Sequence, residues 1–529
     1  MTARPSSTTA PPSPVHNVGS WVSHWARRRG GHLAVADDER RLSWAAFEER
    51  VARLAGWLRE AGVARGDRVA IVLANRTAYL EAVFAAARIG AVGLPVNTRL
   101  SPRELGFILG DAEPAALLHE RDLADLVARA LERAGHAPLL RVAVGEDGAA
   151  GAVDDYEAGL AAATPEPRME AVSPEDPMML MYTSGTTGQP KGALLPHRKT
   201  LYNSLNAQLF FGIRPDDRVL VVAPLFHSLG LLILSVPILY AGGGLVLQRG
   251  FDAAAVWQAI ERERISYMGG VPTMYQRLHE WWSENAATAP DAGSLRFLFT
   301  AGAAIAVELI HAFEERGLVL KQGYGQTETS ILCCLDAADA VRKAGSVGLP
   351  VCHVELRVVR REDLDGPVAR WRDAAPGETG EIVVRGPITM LGYWRQPEAT
   401  AETLREQGWL RTGDLASTDE EGFVTLSGRA RDMYISGGEN VYPAEVEAVY
   451  TEHPGVREIA VVGVPHPKWG EVGRAFVVTA DGSPVDGDAL VAWGKERLAT
   501  FKLPVEWLDA SELPRTASGK VQKHRLGED

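Results

Sequence analysis

Residues 182–197 read YTSGTTGQPKGALLPH. Thr183, Ser184, Thr186 and Thr187 offer hydroxyl donors, and Gly185 and Gly188 let backbone N–H groups approach an anion closely. Lys191 adds positive charge. The pattern is not a Walker A loop, which needs G-x-x-x-x-G-K-[ST]. Here Pro190 precedes Lys191 and Gly192 follows it. The residue before a proline is kept from helical geometry, so this lysine does not open a helix in the Walker manner. A flexible surface turn would need neither a flanking lysine nor four hydroxyls. The stretch therefore predicts a phosphate-holding loop, without saying for which reaction.

On either side of the loop, helix and strand patterns alternate. Residues 43–62, SWAAFEERVARLAGWLREAG, place Ser43 as an N-cap, repeat apolar residues at helical spacing and close on Gly62. The strand-like DRVAIVLAN follows, then the helical AYLEAVFAAARIGAV, then the strand GLPVN. After the loop, DRVLVVAP, ISYMGGVP, LRFLFTAGA and LVLKQGYG each predict a strand that ends in a Gly- or Pro-containing turn. The class is α/β with mostly parallel strands, whose ligand sites lie beyond the strand C-termini. Beyond about residue 345, HVELRVVR and GEIVVRG predict shorter strands of a β-rich subdomain. The last hundred residues predict a compact mixed α/β unit with a helix beginning near Pro443. The expected organisation is a disordered leader over 1–17, a large N-terminal domain over 18–430 built from layered α/β subdomains and the β-rich one, and a small mobile α+β domain over 431–529.

Composition sets outer bounds. The chain has 529 residues, 46% hydrophobic and 23% charged, which points to several globular domains. A net charge of −13 argues against a general nucleic-acid binder or a polybasic membrane anchor. Cys333, Cys334 and Cys352 match no zinc or disulfide spacing and predict buried free thiols in a reducing cytoplasm. Residues 229–247, LGLLILSVPILYAGGGLVL, carry no charge, but Pro237 and Gly242, Gly243 and Gly244 interrupt them. A buried helix, a glycine turn and a short core strand are expected there, not a membrane span. The oligomeric state is left open, with a homodimer among the options.

YTSGTTGQPKG resembles the phosphate loop of the AMP-forming adenylating enzymes, the superfamily of acyl-CoA synthetases, firefly luciferases and peptide-synthetase adenylation domains. The resemblance runs from about Trp21 to Lys523. Further motifs follow in the family's order: PLFHSLG at 224–230, GYGQTETS at 323–330, GEIVVRGPITMLGYW at 380–394, GWLRTGDLA at 408–416, GRARDMYISGGENVYPAEVE at 428–447 and LPRTASGK at 513–520. Any one could arise by chance; six in order are specific. The resemblance implies fatty- or aryl-acyl-CoA ligase chemistry in two steps. A carboxylate attacks the α-phosphorus of ATP and expels pyrophosphate, and a thiol then displaces AMP.

The same resemblance implies residue roles. The 183–191 loop with Lys191 would hold the β- and γ-phosphates, and Thr327 would bond the α-phosphate. Glu328 would ligate Mg²⁺, which prefers carboxylate and phosphate oxygens. Tyr324 would pack on adenine. Asp414 would accept from the ribose hydroxyls with Arg429 assisting. Lys520 would bridge carboxylate and α-phosphate. His227 would gate or orient the carboxylate; a general base is not needed, because the acid is already ionised at neutral pH. Arg431 occupies the hinge position. Gly437 and Gly438 would let a pantetheine arm pass, and Trp469 and Phe501 would line the coenzyme A site, with ordinary core as their alternative. Leu503 stands where some relatives have Arg, which puts the 3′-phosphate contact in doubt. Arg515, Lys523 and Arg525 serve either phosphate contact or solubility. The acid pocket is expected around His227, Gly270, Val271, Gly302, Ala303 and Ala304. With no evident Arg or Lys to pair a second carboxylate, it favours a small-molecule monocarboxylic fatty or aryl acid over a dicarboxylate. Alternative readings are adenylation with an amine or carrier-protein acceptor, a protein that only binds acyl-adenylate or coenzyme A, and luciferase-like oxidation.

Overall fold

A computed structural model describes residues 11–145, 154–183, 190–303, 305–429, 432–436, 439–467, 469–495, 497–498, 500–515 and 519–526. The chain divides into two compact units. One holds the described residues up to Glu355 together with Arg385–Leu404, and the other holds Leu356–Val384 and the described residues from Arg405 onward.

Two large sheets organise the first unit. One has nine strands among the described residues, in the order Leu349–Pro350, Ser330–Cys334, Leu320–Gln326, Phe297–Thr300, Tyr267–Gly270, Arg218–Val221, Gly244–Leu247, Leu33–Ala36 and Arg41–Ser43. Its six central strands are parallel, and antiparallel strands close both edges. Val219, Leu220 and Val221 are fully buried, as expected for a parallel strand covered on both faces. The second sheet has eight strands among the described residues, with Arg68–Val72, Val92–Pro95 and Ala116–Glu120 parallel near its middle and the paired strands Pro177–Thr183 and Lys191–Pro196 towards one edge.

The connecting helices follow from local signals. Ser43 caps Trp44–Glu60 by accepting from the Ala46 N–H, and Gly62 takes a φ of 94° just beyond it. The Thr77–Arg88 helix is buried along its whole length; its apolar residues pack on all sides, and its two charged side chains are paired, Glu81 with Arg50 and Arg88 with Glu48. Asn75, just before it, donates to the carbonyls of Ala223 and Gln248 and accepts from Leu225 N, tying the two sheets together. The His197–Phe211 helix leaves the second sheet directly and packs Phe211 against Tyr267, Phe297 and Phe299 of the first.

The apolar run at 229–247 forms a π-helix over Leu229–Ser235, an α-helix over Val236–Ala241, a left-handed cap at Gly242 and the strand Gly244–Leu247. The π segment was not foreseen. Among the described residues no helix is long and apolar enough to cross a membrane. Two expectations need correction. Within the expected leader, Ser13 pairs with Val172, and Asn17 is buried and donates to the carbonyls of Ala87 and Glu170, because its short amide reaches two backbone acceptors. Of the three thiols, Cys333 and Cys334 are buried in a strand, but Cys352 is exposed because it lies in the turn that follows the edge strand.

The second unit contains an antiparallel four-stranded sheet, ordered Glu355–Val359, Gly380–Arg385, Leu410–Thr418 and Val424–Arg429. It also contains a sheet centred on the long hairpin Val456–His466/Gly470–Thr479, covered by the helices Pro443–Thr451 and Gly487–Lys495. By contact, the β-rich segment groups with the C-terminal residues, whereas the boundary expected at Arg431 falls outside the described residues.

Candidate active site

In the first unit the site is built where two hairpins meet. One carries the phosphate-loop sequence: Thr183 ends its first strand, Lys191 starts its second, and the two are paired in register. The other joins Leu320–Gln326 to Ser330–Cys334 and carries Thr327 and Glu328 in its turn. The turn is narrow. A Cβ on Gly325 would lie 1.8 Å from the Ser330 carbonyl oxygen, so only glycine fits. Gln326 N donates to Thr329 Oγ1 and Thr329 N to the Gln326 carbonyl, closing the turn, and Met390 N donates to the Glu328 carbonyl.

Thr183 and Glu328 lie 145 positions apart, yet the Thr183 hydroxyl is 3.4 Å from Glu328 Oε1. Tyr393 donates its phenol to the same oxygen at 3.0 Å. Lys191 Nζ lies 5.4 Å from the centre of the Tyr393 ring, within cation–π range. A cation, a hydroxyl, a phenol and a carboxylate therefore share one corner. Among the described residues no group of three or more His, Cys, Asp and Glu side chains could hold a metal by itself. A single half-buried carboxylate beside a phosphate-type loop suits Mg²⁺, which takes one or two carboxylates and completes its shell with phosphate oxygens and water.

Sequence pattern singles out neither Tyr393, within GEIVVRGPITMLGYW, nor Lys199. Lys199 is buried under the turn and donates from Nζ to Ser330 Oγ. Ser330 holds a left-handed φ of 60°, uncommon outside glycine. Burial pulls the Lys199 ammonium down to about 7, opposed by the negative charge of Glu328. The only sequence signal was a lysine amid small and polar residues of a helix, which normally marks a solvated face.

The expected acid-pocket residues sit at strand C-termini. Gly270, Thr300 and Gln322 lie side by side in register on adjacent parallel strands, and so share a sheet face. Thr300 Oγ1 and Gln322 Nε2 are buried without a hydrogen-bond partner, the kind of orphaned polar atoms that a ligand at strand ends satisfies. Val271 follows directly, and Gly302 and Ala303 are exposed between buried Ala301 and Ile305. Tyr324 is largely buried on the hairpin, paired in register with Cys333. His227 is half-buried in the turn before the π-helix, its ring 4.6 Å from that of Phe226.

The second unit holds the remaining candidates. Asp414 is buried on Leu410–Thr418 and pairs in register across the sheet with Arg429. Thr412 Oγ1 accepts from Asp414 N and donates to the Ile382 carbonyl, which fixes the start of this segment. Trp469 is 46% exposed and Phe501 37% exposed, so neither is ordinary core. Leu503 is buried. Lys520 is exposed. Arg515 pairs with Glu458 and Lys523 with Glu447, so these two cations are held by protein carboxylates. Arg525 is exposed and bonds Gln522. Ser184, Gly185, Thr186, Thr187, Ala304, Arg431, Gly437 and Gly438 lie outside the described residues.

The AMP-binding enzyme family model matches residues 22–394, and the model of the AMP-binding enzyme C-terminal domain matches 445–520. The chain belongs to this family of AMP-binding enzymes. It is 44% identical over 511 residues to a feruloyl-CoA synthase of Amycolatopsis sp, covering 96% of this chain and 97% of that one. It is 40% identical over 512 residues to an indoleacetate–CoA ligase of Aromatoleum aromaticum, covering 96% of each. Among solved structures, ATP-bound MatB from Rhodopseudomonas palustris superposes with a TM-score of 0.87 at 31% identity, covering 97% of this chain and 98% of that one.

Proposed function

We propose that the protein is an ATP-dependent, AMP-forming acyl-CoA ligase whose acid is an aryl monocarboxylate. The observation that carries this reading is the meeting of Thr183, Lys191 and Glu328 at one corner of a chain that is similar along 96% of its length to an aryl-CoA synthase. In the first step a carboxylate oxygen attacks the α-phosphorus, and the bond to the pyrophosphate oxygen breaks. Lys191 and the loop hydroxyls meet the charge that gathers on the departing pyrophosphate. Thr327 donates to the α-phosphate, and Lys520 bridges carboxylate and phosphate. Glu328, oriented by Tyr393 and Thr183, would hold Mg²⁺, which supplies charge neutralisation to the triphosphate. Asp414 accepts from the ribose hydroxyls with Arg429 assisting, and Tyr324 packs on the adenine.

In the second step the coenzyme A thiolate attacks the acyl carbon, and the carbon–oxygen bond to AMP breaks. The exposed Trp469 and Phe501 are available to line the path of the coenzyme. His227, Gly270, Val271, Gly302, Ala303 and Ala304 would surround the acyl group. The two aryl-acid relatives at 44% and 40% identity favour an aryl over a fatty acid.

The test is ferulate- and indoleacetate-dependent ATP–pyrophosphate exchange, followed by product analysis with and without coenzyme A. Exchange with at least one acid and a coenzyme A thioester are expected. Exchange without thioester would assign another acceptor, and no exchange with either acid would remove the aryl-acid reading.

A further inference from the structure

The lysine expected to bridge carboxylate and phosphate is exposed near the chain's end, where a loop would ordinarily wander. Its surroundings are instead built. Arg515 and Val521 form an antiparallel bridge on either side of it, and Gln522 N donates to the Pro514 carbonyl. Arg515 Nη1 donates to the Gly519 carbonyl at 2.6 Å, while Nη2 pairs with Glu458 at 2.8 Å. On the other flank Lys523 Nζ meets Glu447 Oε1 at 2.6 Å, and the same oxygen accepts from Val461 N at 2.6 Å. Leu513 and Leu526, one on each side, are buried against Ala460 and Val478.

The Lys523–Glu447 pair differs from a surface ion pair. Both side chains are about one-fifth exposed. Glu447 projects from the Pro443–Thr451 helix, and its bond to Val461 N joins that helix to the Val456–His466 strand. Burial pushes its carboxyl up, and the Lys523 ammonium is the largest influence opposing the shift. Removing either partner leaves the other charge half-buried and unpaired, which costs more than the pair itself contributes. Lys523 is three residues from Lys520, so this contact fixes the chain just beyond it.

We propose that Glu447 and Lys523 are positioning residues for the adenylation step: their ion pair, with Arg515–Glu458 opposite, anchors residues 519–526 to their own unit and so fixes the backbone from which the Lys520 side chain extends. This rests on the reading of Lys520 as the bridging group. It predicts a loss confined to the half-reaction that uses Lys520, because the segment flanking Lys520, not the core of the unit, is released.

The experiment compares wild type, Glu447→Gln, Lys523→Met and Lys523→Arg. Ferulate-dependent ATP–pyrophosphate exchange is expected to fall roughly 10- to 100-fold in the first two variants, the scale on which misplacement of a catalytic group acts. Thioester formation from supplied feruloyl-adenylate and coenzyme A should stay within about twofold of wild type, a split that general destabilisation would not produce. Lys523→Arg, which keeps the pair, should restore most of the exchange. Equal loss of both half-reactions, or no loss in either, would overturn the proposal. Hydrogen exchange of peptides spanning 513–526 supplies a readout that needs no substrate. Faster exchange in Glu447→Gln and Lys523→Met, with Lys523→Arg like wild type, is expected, and unchanged exchange would overturn the proposal. If wild type itself fails with both ferulate and indoleacetate, the aryl-acid reading fails, while the hydrogen-exchange data still decide the ion pair.

Discussion

His197 and His119 show how single buried rings set acid tolerance. His197 opens the helix after the phosphate loop, and its Nδ1 accepts from Val18 N at 3.3 Å, so that nitrogen carries no proton. His119 lies 2.7 Å from the Glu120 carbonyl through Nδ1 and accepts from Arg141 at Nε2, which also describes a neutral ring. Burial pulls both down to about 4 from an ordinary 6.5. Between these values the unfolded chain binds more protons than the folded one, so stability is full above pH 6.5 and declines as pH falls through 4. Thermal unfolding from pH 7.5 to 4 should show a steeper fall in Tm for wild type than for His197→Gln, with each ring worth at most about 3 kcal/mol. Tyr393 gives a second test at this scale. Tyr393→Phe removes the phenol that donates to Glu328 but keeps the ring under Lys191. The Mg²⁺ activation curve of the exchange reaction should move several-fold to higher concentration, with Tm within a few degrees of wild type.

At the scale of elements, the hairpin that carries Thr327 and Glu328 matters most. Its turn is closed by Gln326 and Thr329, propped from below by Lys199 through Ser330 and held at Glu328 by Met390. Gly325 is the point at which it cannot be altered, because a methyl group there would overlap backbone rather than a movable side chain. Gly325→Ala is expected to cost about 1–3 kcal/mol or more of stability in chemical denaturation. ATP-dependent activity should be lost out of proportion to the folded fraction, since the displaced turn carries both residues. The turn was visible as GYGQTETS, but its support was not. Lys199 comes from a helix 131 positions from Ser330, and no local pattern links them.

For the whole molecule, the residues proposed to act are divided between the two units. The phosphate corner and strand-end pocket belong to the first, and Asp414, Trp469, Phe501 and Lys520 belong to the second. Lys520→Ala should therefore reduce ferulate-dependent pyrophosphate exchange by about 10²-fold or more. Thioester formation from supplied feruloyl-adenylate should remain, as measured by coenzyme A consumption. Equal loss of both would contradict separate roles for this lysine.

Much of this was legible in the chain itself. Helix caps such as Ser43, the parallel strands ending in glycine turns, and the breaks at Pro237 and Gly242 are local effects, set by backbone sterics within a few residues. The ordered motifs pointed to the chemistry through their resemblance to the AMP-forming adenylating enzymes, since each is a short run readable without the fold. Tertiary structure alone decided what converges. It brought Thr183 to Glu328 and Tyr393, left Thr300 and Gln322 with orphaned polar atoms at adjacent strand ends, and turned Lys523 from an apparent surface cation into the partner of Glu447. Such contacts join residues tens to more than a hundred positions apart. They depend on sheet order and register, which local periodicity does not encode.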